Sequence, residues 1–129
     1  MKTNELSGIA LDYAVVLALG GEYDTYDSVA THWVKLNGES RALSRGWAQS
    51  FTPSTNWAQA GEIIETEKLS LRHYKEHNEE WFSEKQHFGR HHKAGRSYGE
   101  GTTPLIAAMR CYVSSKLGDE VEIPKELLQ

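Results

Sequence analysis

The residues best suited to binding chemistry lie in one short polar segment near the middle of the chain. Ser54, Thr55 and Asn56 precede apolar residues that recur at helical period, so they are expected at the N-terminus of a helix. Free N–H groups and the helix dipole favour an anionic or carbonyl-bearing ligand there, and Trp57 adds an aromatic surface on which a base could stack. Simple N-capping by Ser54 or Thr55, which needs no ligand, is the alternative interpretation.

Two charged residues outside this segment could complete a ligand site. Arg110 lies off the apolar stripe of the predicted last helix and is the residue there best able to meet an anion; a solvated arginine is the alternative. Asp12 stands between apolar neighbours in the predicted first helix, so it either points into a shared cleft or faces solvent. The candidate ligand-binding residues are therefore Ser54, Thr55, Asn56, Trp57, Gln59, Arg110 and Asp12.

The segment 87–101 is locally basic inside an acidic protein and has no periodicity. It combines three histidines and four glycines with Arg90, Lys93 and Arg96. Glycine provides mobility and arginine makes bidentate phosphate contacts, so a flexible loop that contacts phosphate is predicted, with a solvated surface loop as the alternative. A zinc site is disfavoured because no cysteine lies nearby and adjacent histidines splay apart. Its ligands would be His87, His91 and His92.

Helices at both ends of the chain are predicted to hold these candidates in position. The last helix begins with Thr103 as its N-cap and Pro104 at its first position, and it ends at Gly118. Its apolar residues recur at three- and four-residue steps, which is typical of a buried helix with one polar edge. The first helix is predicted over 4–19.

Between these helices the sequence predicts shorter elements. Residues 22–53 are interpreted as a connecting region, in which 28–36 forms a short strand in preference to one or two helical turns. A middle helix follows the polar segment, and 68–74 and 80–88 alternate like the two strands of an antiparallel hairpin. The predicted fold is therefore α+β, with three main helices packed on a small antiparallel β-sheet.

Composition limits the classes of protein to which the chain can belong. Its 129 residues fit one domain over 1–129, and the acidic tail 119–129 is expected to pack on that domain in preference to a neighbouring subunit. The net charge of −4 argues against a general role in binding nucleic acid. The single cysteine, Cys111, favours a reducing cytosol and a buried structural thiol. No leader or membrane-spanning run is recognised, so a soluble cytoplasmic protein is expected.

Three blocks of the sequence resemble the NinX-like family of small proteins from lambdoid phages. They are LSGIALDYAV at 6–15, PSTNWAQAGEIIE at 53–65 and TPLIAAMRCYVSSKLGDEVEIP at 103–124. The order of the predicted elements is also similar to that of phage ABA sandwich domains. The family commonly has aspartate at the place of Asn56, and an amide cannot shuttle a proton, so an acid-base role for that position is disfavoured. The resemblance implies an accessory phage protein without a settled biochemical activity.

Three classes of function are compatible with these features. The favoured one is a non-catalytic binder of a small anionic or nucleotide-like ligand, which would sequester a host immune signal. The first alternative is a protein–protein interaction module that modulates host or phage DNA metabolism, with Trp33, Trp47 and Trp81 on its surface. The second alternative, an enzyme, is disfavoured because the sequence contains no nucleophile elbow, P-loop, metal signature or informatively spaced carboxylate pair. No cofactor is expected, and a homo-oligomer is left open.

Overall fold

The computed structural model of the protein describes residues 1–27, 30–74, 80–87 and 95–128. Within these ranges the chain forms three α-helices and six β-strands, which confirms the predicted α+β class. The helices are α1 (Gly8–Ala18), α2 (Trp57–Glu67) and α3 (Pro104–Leu117), and the strands are β1 (Glu22–Tyr26), β2 (His32–Leu36), β3 (Glu39–Ala42), β4 (Arg72–Tyr74), β5 (Glu80–His87) and β6 (Gly95–Gly101). No helix in the described ranges is both long and apolar enough to cross a membrane.

The strands form two antiparallel sheets, not the single small sheet predicted from the sequence. The first sheet has the order β1-β2-β3 and the second has the order β4-β5-β6. The interpretation of 22–53 as a connecting region is therefore wrong. Asn37 and Gly38 turn the chain between β2 and β3 with φ angles of 53° and 80°, the backbone that a tight two-residue hairpin requires. This Asn-Gly pair is the sequence signal of the first sheet.

Two of the predicted strand regions are confirmed. Strand β2 forms the second half of 28–36, while residues 28 and 29 lie outside the described ranges. Strands β4 and β5 pair antiparallel, as predicted for the hairpin, with Arg72 opposite Phe82. The segment 75–79, predicted to be the turn of the hairpin, lies outside the described ranges.

Helix α3 packs against the second sheet and also against α1. Gly99 and Gly101 in β6 allow the close approach of this helix. A Cβ atom at Gly99 would overlap the carbonyl oxygen of Ala107 and the amide nitrogen of Cys111. The prediction of a flexible loop over 87–101 is therefore wrong for its second half, which is strand β6. The glycines there permit tight packing of backbone on backbone.

The predicted ends of α3 are confirmed. The Thr103 Oγ1 accepts a hydrogen bond from the Ile106 amide at 3.1 Å, and Pro104 occupies the first turn. Gly118 follows the helix with a φ angle of 89°, a backbone conformation that favours glycine. The cap, the proline and the glycine therefore act where the sequence places them.

Helix α1 begins later than the predicted start at residue 4, because a 3-10 turn, Thr3–Glu5, precedes it. Thr3 is buried, and its Oγ1 donates a hydrogen bond to the Gly118 carbonyl at 2.7 Å. The Thr3 amide also donates to the Asp119 carbonyl at 2.8 Å. The N-terminal segment is thus held against the end of α3.

One hydrophobic cluster joins the helices to the first sheet and to the C-terminal tail. Val121 and Leu127 of the tail belong to this cluster and are buried, so this part of 119–129 packs on its own chain. Members that are fully buried include Leu11, Val15, Val34, Met109 and Val113.

Candidate functional site

The turn before α2 is held by the side chain of Gln59. Its Oε1 accepts a hydrogen bond from the Thr52 amide at 2.7 Å, and its Nε2 donates to the Ser50 carbonyl at 2.7 Å. Both ends of the side-chain amide are therefore satisfied inside the protein. Gln59 fixes the path of the backbone into α2.

Asn56 is the N-cap of α2, so the prediction of Ser54 or Thr55 as the cap is wrong. The Asn56 Oδ1 accepts from the Gln59 amide at 3.1 Å, and its φ of −114° and ψ of 108° are extended. Thr55 donates through Oγ1 to the Thr52 carbonyl at 3.3 Å. All three side chains are good caps in isolation, and the backbone decides among them because helical geometry begins only at the residue after Asn56.

Asp12 meets this turn from α1. Its Oδ1 accepts from the Ser54 amide at 2.8 Å, and Asp12 is only 3% exposed. Burial raises the pKa of the carboxyl to about 7, although the Ser54 amide and hydroxyl and the positive charge of Arg45 favour ionisation. The Ser54 hydroxyl lies close enough to Asp12 to favour the ionised carboxyl, but its Oγ makes no hydrogen bond. The solvent-facing interpretation of Asp12 is therefore wrong, and the structure brings Asp12 and Ser54 together.

Arg110 is half-buried on α3 and binds two backbone carbonyls. Its Nε donates to the Leu6 carbonyl at 2.8 Å, and its Nη1 donates to the Glu100 carbonyl at 2.7 Å. These bonds tie α3 to the N-terminal segment and to β6. Among the described residues, no hydrogen bond links Arg110 to the turn 52–59. The guanidinium on the polar edge of α3 thus has a structural task that the sequence does not reveal.

Trp57 opens α2 and remains accessible. It is 58% exposed, so it offers the aromatic surface that the sequence predicts. Most polar groups beside it, in contrast, hydrogen-bond to one another or to the backbone, whereas the Ser54 Oγ has no partner. We call this internal network the polar latch, and its members are Asp12, Ser54, Asn56 and Gln59.

A second group of side chains with binding chemistry lies on the outer side of the second sheet. Gly99 and Gly101 contact α3, so the residues that alternate with them in β6 point to the opposite side. There the Tyr98 and Phe82 ring centroids are 5.3 Å apart, and the Phe82 and Tyr74 centroids are 5.7 Å apart. The three rings form a row across β4, β5 and β6. We call this surface the aromatic face, and it consists of Tyr74, Phe82, Tyr98, Arg72, Glu84 and Arg96.

Two arginines flank this row of rings. The Arg72 Cζ lies 5.7 Å from the Tyr74 ring centroid and 5.6 Å from that of Phe82. Arg72 Nη2 is 3.7 Å from Glu84 Oε2, and Arg96 Nη1 is 3.5 Å from Glu84 Oε1. The Arg72 and Arg96 side chains are 54% and 52% exposed, whereas that of Glu84 is 14% exposed. One partly buried carboxylate thus holds two accessible guanidiniums beside the rings.

Arg96 is the predicted phosphate-contacting residue that lies on this face. Arg90 and Lys93, the other two members of that predicted set, lie outside the described residues, as do His91 and His92. In the part of the chain that the structure describes, no group of three or more histidine, cysteine, aspartate or glutamate side chains could hold a metal ion.

The sequence that builds both sites matches a known protein family. The family described as Bacteriophage P22, NinX matches residues 2–116. The chain belongs to the NinX family. It is a phage accessory protein, in agreement with the resemblance of its sequence blocks. No curated protein matches the chain significantly.

The aromatic face of this NinX-family protein was not among the predicted sites. Its sequence signal is the alternation of Arg96, Tyr98 and Glu100 with small residues, which is typical of a strand with two different sides. The glycines of 87–101 favour a loop and so conceal this alternation. The rings also come from three separate strands, so their proximity depends on the register of the sheet.

Cys111 of this NinX-family chain belongs to α3, on the side of the helix that packs against β6. It is buried, and its Sγ donates to the Ser97 carbonyl at 3.4 Å. Burial raises the pKa of the thiol to about 11, so the thiol is protonated at neutral pH. The predicted buried structural thiol is confirmed.

Proposed function

We propose that this NinX-family protein is a non-catalytic binder of a nucleotide-like ligand, with a base on the aromatic face and a phosphate on its arginines. One observation carries the proposal: a row of three rings lies beside two accessible guanidiniums on one side of a sheet. Under this proposal the protein acts in the cytoplasm of the host cell. The site differs from the polar segment favoured by the sequence, but the class of ligand is the same.

Tyr98 is the ring best suited to receive a base. It is 43% exposed, and it follows Arg96 by two residues in β6, so both side chains point to the same side of the sheet. A base stacked on an aromatic ring contributes about 1–3 kcal/mol of binding free energy. A guanidinium adds paired hydrogen bonds to a phosphate. Tyr98 and Arg96 therefore supply the base contact and the phosphate contact for one nucleotide.

Glu84 holds the two arginines ready for a phosphate. Its oxygens lie 3.7 Å from Arg72 and 3.5 Å from Arg96, distances longer than those of a tight charge-assisted hydrogen bond. Because the Arg72 and Arg96 side chains are about half exposed, a phosphate can bind on their outer side while Glu84 stays paired with them. Because both guanidiniums are already restrained near one point, they lose less conformational freedom when a ligand binds.

A binding role without turnover fits the positions of the two groups whose pKa values burial raises most. Asp12, whose carboxyl pKa lies near 7, is buried in the polar latch, and the Cys111 thiol is buried between α3 and β6. Neither group belongs to the aromatic face. A protein that binds a nucleotide and leaves it unchanged acts by withholding it, as in the sequestration of a host immune signal.

Thermal unfolding with added nucleotides tests this proposal, because a ligand that binds the folded state raises the melting temperature. Nucleoside monophosphates, cyclic dinucleotides and short oligonucleotides are the probes. We expect a rise for the wild type that is lost in Tyr98→Ala and reduced in Arg96→Gln. Trp57→Ala is the matched control, because it removes another exposed aromatic side chain that lies outside the aromatic face.

Two results would contradict the proposal. Loss of the stabilisation in Trp57→Ala with its retention in Tyr98→Ala would move the ligand to the start of α2. The absence of any stabilisation of the wild-type protein by all three kinds of probe would argue against a nucleotide-like ligand altogether.

A second candidate function is a protein–protein interaction module, and the exposed tryptophans favour it. Trp47 is 42% exposed and packs edge-on against Trp33, with ring centroids 5.3 Å apart, while Trp33 and Trp81 are half-buried. Tryptophan is enriched in the residues that dominate protein interfaces. The partner would be a protein of host or phage DNA metabolism, or a second copy of the chain. Trp47→Ala should then abolish capture of that partner, or self-association in light scattering, without affecting stabilisation by nucleotides.

A further inference from the structure

We infer that the ligand of the aromatic face is a single-stranded nucleic acid that crosses the second sheet, and not a free nucleotide. The inference rests on the proposed function and specifies the class of ligand at the same site. It draws on the length of the row of rings, the shape of the surface and the positions of the charges.

The row of rings is longer than one nucleotide needs. Tyr74, Phe82 and Tyr98 lie on three neighbouring strands, with centroids 5.7 and 5.3 Å apart. Three strands span about 10 Å at the usual strand spacing. The Arg72 guanidinium over two of the rings adds a planar surface on which a base can also stack. The Tyr74 and Phe82 rings are nearly perpendicular, at 87°, and Arg72 lies over both of them. The accessible stacking surfaces are therefore the Tyr98 ring and the outer side of the Arg72 guanidinium, which can receive two bases of one nucleic-acid strand.

The shape of the surface favours an extended ligand. Small molecules bind in concave sites that enclose most of their surface, whereas the aromatic face is one side of an open sheet. Two cavities among the described residues lie elsewhere. One, of about 170 Å³, is lined in part by Ile63 and Tyr112, and the other, of about 300 Å³, by Ile9 and Leu127. On an open surface, a nucleic-acid strand can reach through several separate contacts the affinity that a single nucleotide reaches only in a pocket.

The charges are placed for a backbone that crosses the sheet. Arg72 is on β4 and Arg96 is on β6, so the two exposed guanidiniums lie on either side of Glu84 on the central strand. Successive phosphates of a nucleic-acid strand can approach the exposed sides of the two guanidiniums while Glu84 stays in place. Glu100 shares this side of β6 with Arg96, and Glu80 lies opposite Tyr74. With Glu84, three carboxylates therefore accompany the two arginines on this side of the sheet, so stacking must supply most of the affinity.

Because stacking supplies most of the affinity, the aromatic face should bind single-stranded nucleic acid more tightly than duplex. In a duplex the bases are paired and stacked on each other, so their flat surfaces cannot reach a protein ring. Binding to duplex DNA relies instead on neutralising many phosphates, which a protein with a net charge of −4 does poorly. The expectation that nucleic acid in general is a poor ligand is thus compatible with a stacking site for unpaired bases.

Fluorescence anisotropy with labelled oligothymidylates of 2, 4, 8 and 12 nucleotides, about the site sizes of other single-strand-binding surfaces, tests the inference. We expect affinity to rise at least about tenfold from the dinucleotide to the tetranucleotide, which is long enough to cross the row, and to change little from the tetranucleotide to the octamer and dodecamer. An octamer duplex should bind at least about tenfold more weakly than the single strand. Because only two arginines contact phosphates, a plot of the logarithm of the association constant against the logarithm of the salt concentration should have a slope no steeper than about −1.4.

Variants separate stacking from a general effect on the fold. Tyr98→Ala should weaken octamer binding about fivefold or more, as expected for the loss of one base–ring contact, while Tyr98→Phe should bind like the wild type. Arg96→Gln should reduce the salt slope by about 0.7, the contribution of one phosphate contact. Trp57→Ala should bind like the wild type, since Trp57 lies on α2. Circular dichroism melting of each variant checks that the fold is retained.

The outcomes distinguish this inference from the proposed function. Mononucleotides that bind as tightly as the octamer, in a manner that depends on Tyr98, would overturn the inference and leave the proposed function in place. Equal binding of duplex and single strand, or octamer binding that is unchanged in Tyr98→Ala, would also overturn it. If neither nucleotides nor oligonucleotides bind the wild-type protein, both the inference and the proposed function fail.

Discussion

The Asp12 carboxyl group accepts a hydrogen bond from the Ser54 amide at 2.8 Å and so fastens α1 to the turn that precedes α2. The carboxyl group is buried, and the same turn contains the N-cap Asn56 and the bridging side chain of Gln59. The polar segment that resembles an anion site in the sequence therefore has a structural task in the folded chain. Its residues give sharp predictions about stability.

Ionisation of Asp12 should destabilise the protein. Burial raises the pKa of Asp12 from its ordinary value of 3.8 to about 7, so the folded state binds this proton more tightly than the unfolded state does. The protonated carboxyl therefore stabilises the folded state at low pH. This contribution is lost as the pH rises from 3.8 to about 7. The loss is on the order of 4 kcal/mol, at about 1.4 kcal/mol per pH unit.

Urea unfolding of the wild type and of Asp12→Asn, at several pH values between about 5 and 8, measures this effect. Asparagine keeps an oxygen acceptor for the Ser54 amide but cannot ionise. The wild type should therefore lose stability relative to the variant as the pH rises. A wild type that gains stability relative to Asp12→Asn over the same range would mean that the ionised carboxylate is the favoured form.

Removal of the α2 cap should have a moderate effect that depends on the replacement. Asn56→Ala leaves the Gln59 amide without its acceptor and should lower the free energy of unfolding by about 1 kcal/mol. Asn56→Asp keeps an acceptor at this position and should leave stability nearly unchanged. Chemical denaturation compares the two variants. Equal losses in both would show that the cap hydrogen bond is not the source of the effect.

Arg110 should prove to be a structural residue. Arg110→Met removes both donors to the Leu6 and Glu100 carbonyls and should lower the free energy of unfolding by about 2 kcal/mol or more. Arg110→Lys should lie between this variant and the wild type, because an ammonium does not reproduce the planar fork of arginine. Urea unfolding provides the comparison. An Arg110→Met variant with unchanged stability and no nucleotide binding would instead identify Arg110 as a ligand contact.

The close approach of α3 to β6 should make Gly99 intolerant of any side chain. Gly99→Ala should unfold the protein or destabilise it by about 3 kcal/mol or more, because its Cβ would meet the backbone of α3. Gly61→Ala is the matched control in α2, where an added Cβ meets nothing within 4 Å, and it should stabilise the helix by about 0.5–1 kcal/mol. Thermal melting of both variants checks the pair. Similar melting temperatures for the two would contradict the packing described for Gly99.

Local signals in the sequence predict those parts of the fold that local chemistry determines. The start and end of α3 follow from Thr103, Pro104 and Gly118, because capping and positive φ are properties of a few neighbouring residues. The β4–β5 hairpin follows in the same way from alternation along each strand. The Asn37-Gly38 turn carries an equally local signal for the first sheet.

The remainder depends on tertiary contacts. The glycines of β6 lead to the prediction of a mobile loop, because no residue nearby in the sequence indicates that α3 packs on Gly99. Asp12 and Ser54 are separated by 42 positions, and the rings of the aromatic face come from three strands. Such sites are created by register and packing, so a sequence can supply their residue types without indicating which of them meet.

A residue-by-residue map of where a nucleotide ligand contacts the protein tests the central proposal most directly. In a two-dimensional 15N–1H NMR titration, first with a nucleoside monophosphate and then with an octathymidylate, we predict that the largest amide shifts fall on 72–74, 80–86 and 96–100. The amides of 52–60, which surround the polar segment, should move little. Shifts concentrated on 52–60, or no shifts with either ligand, would contradict the assignment of nucleotide binding to the aromatic face.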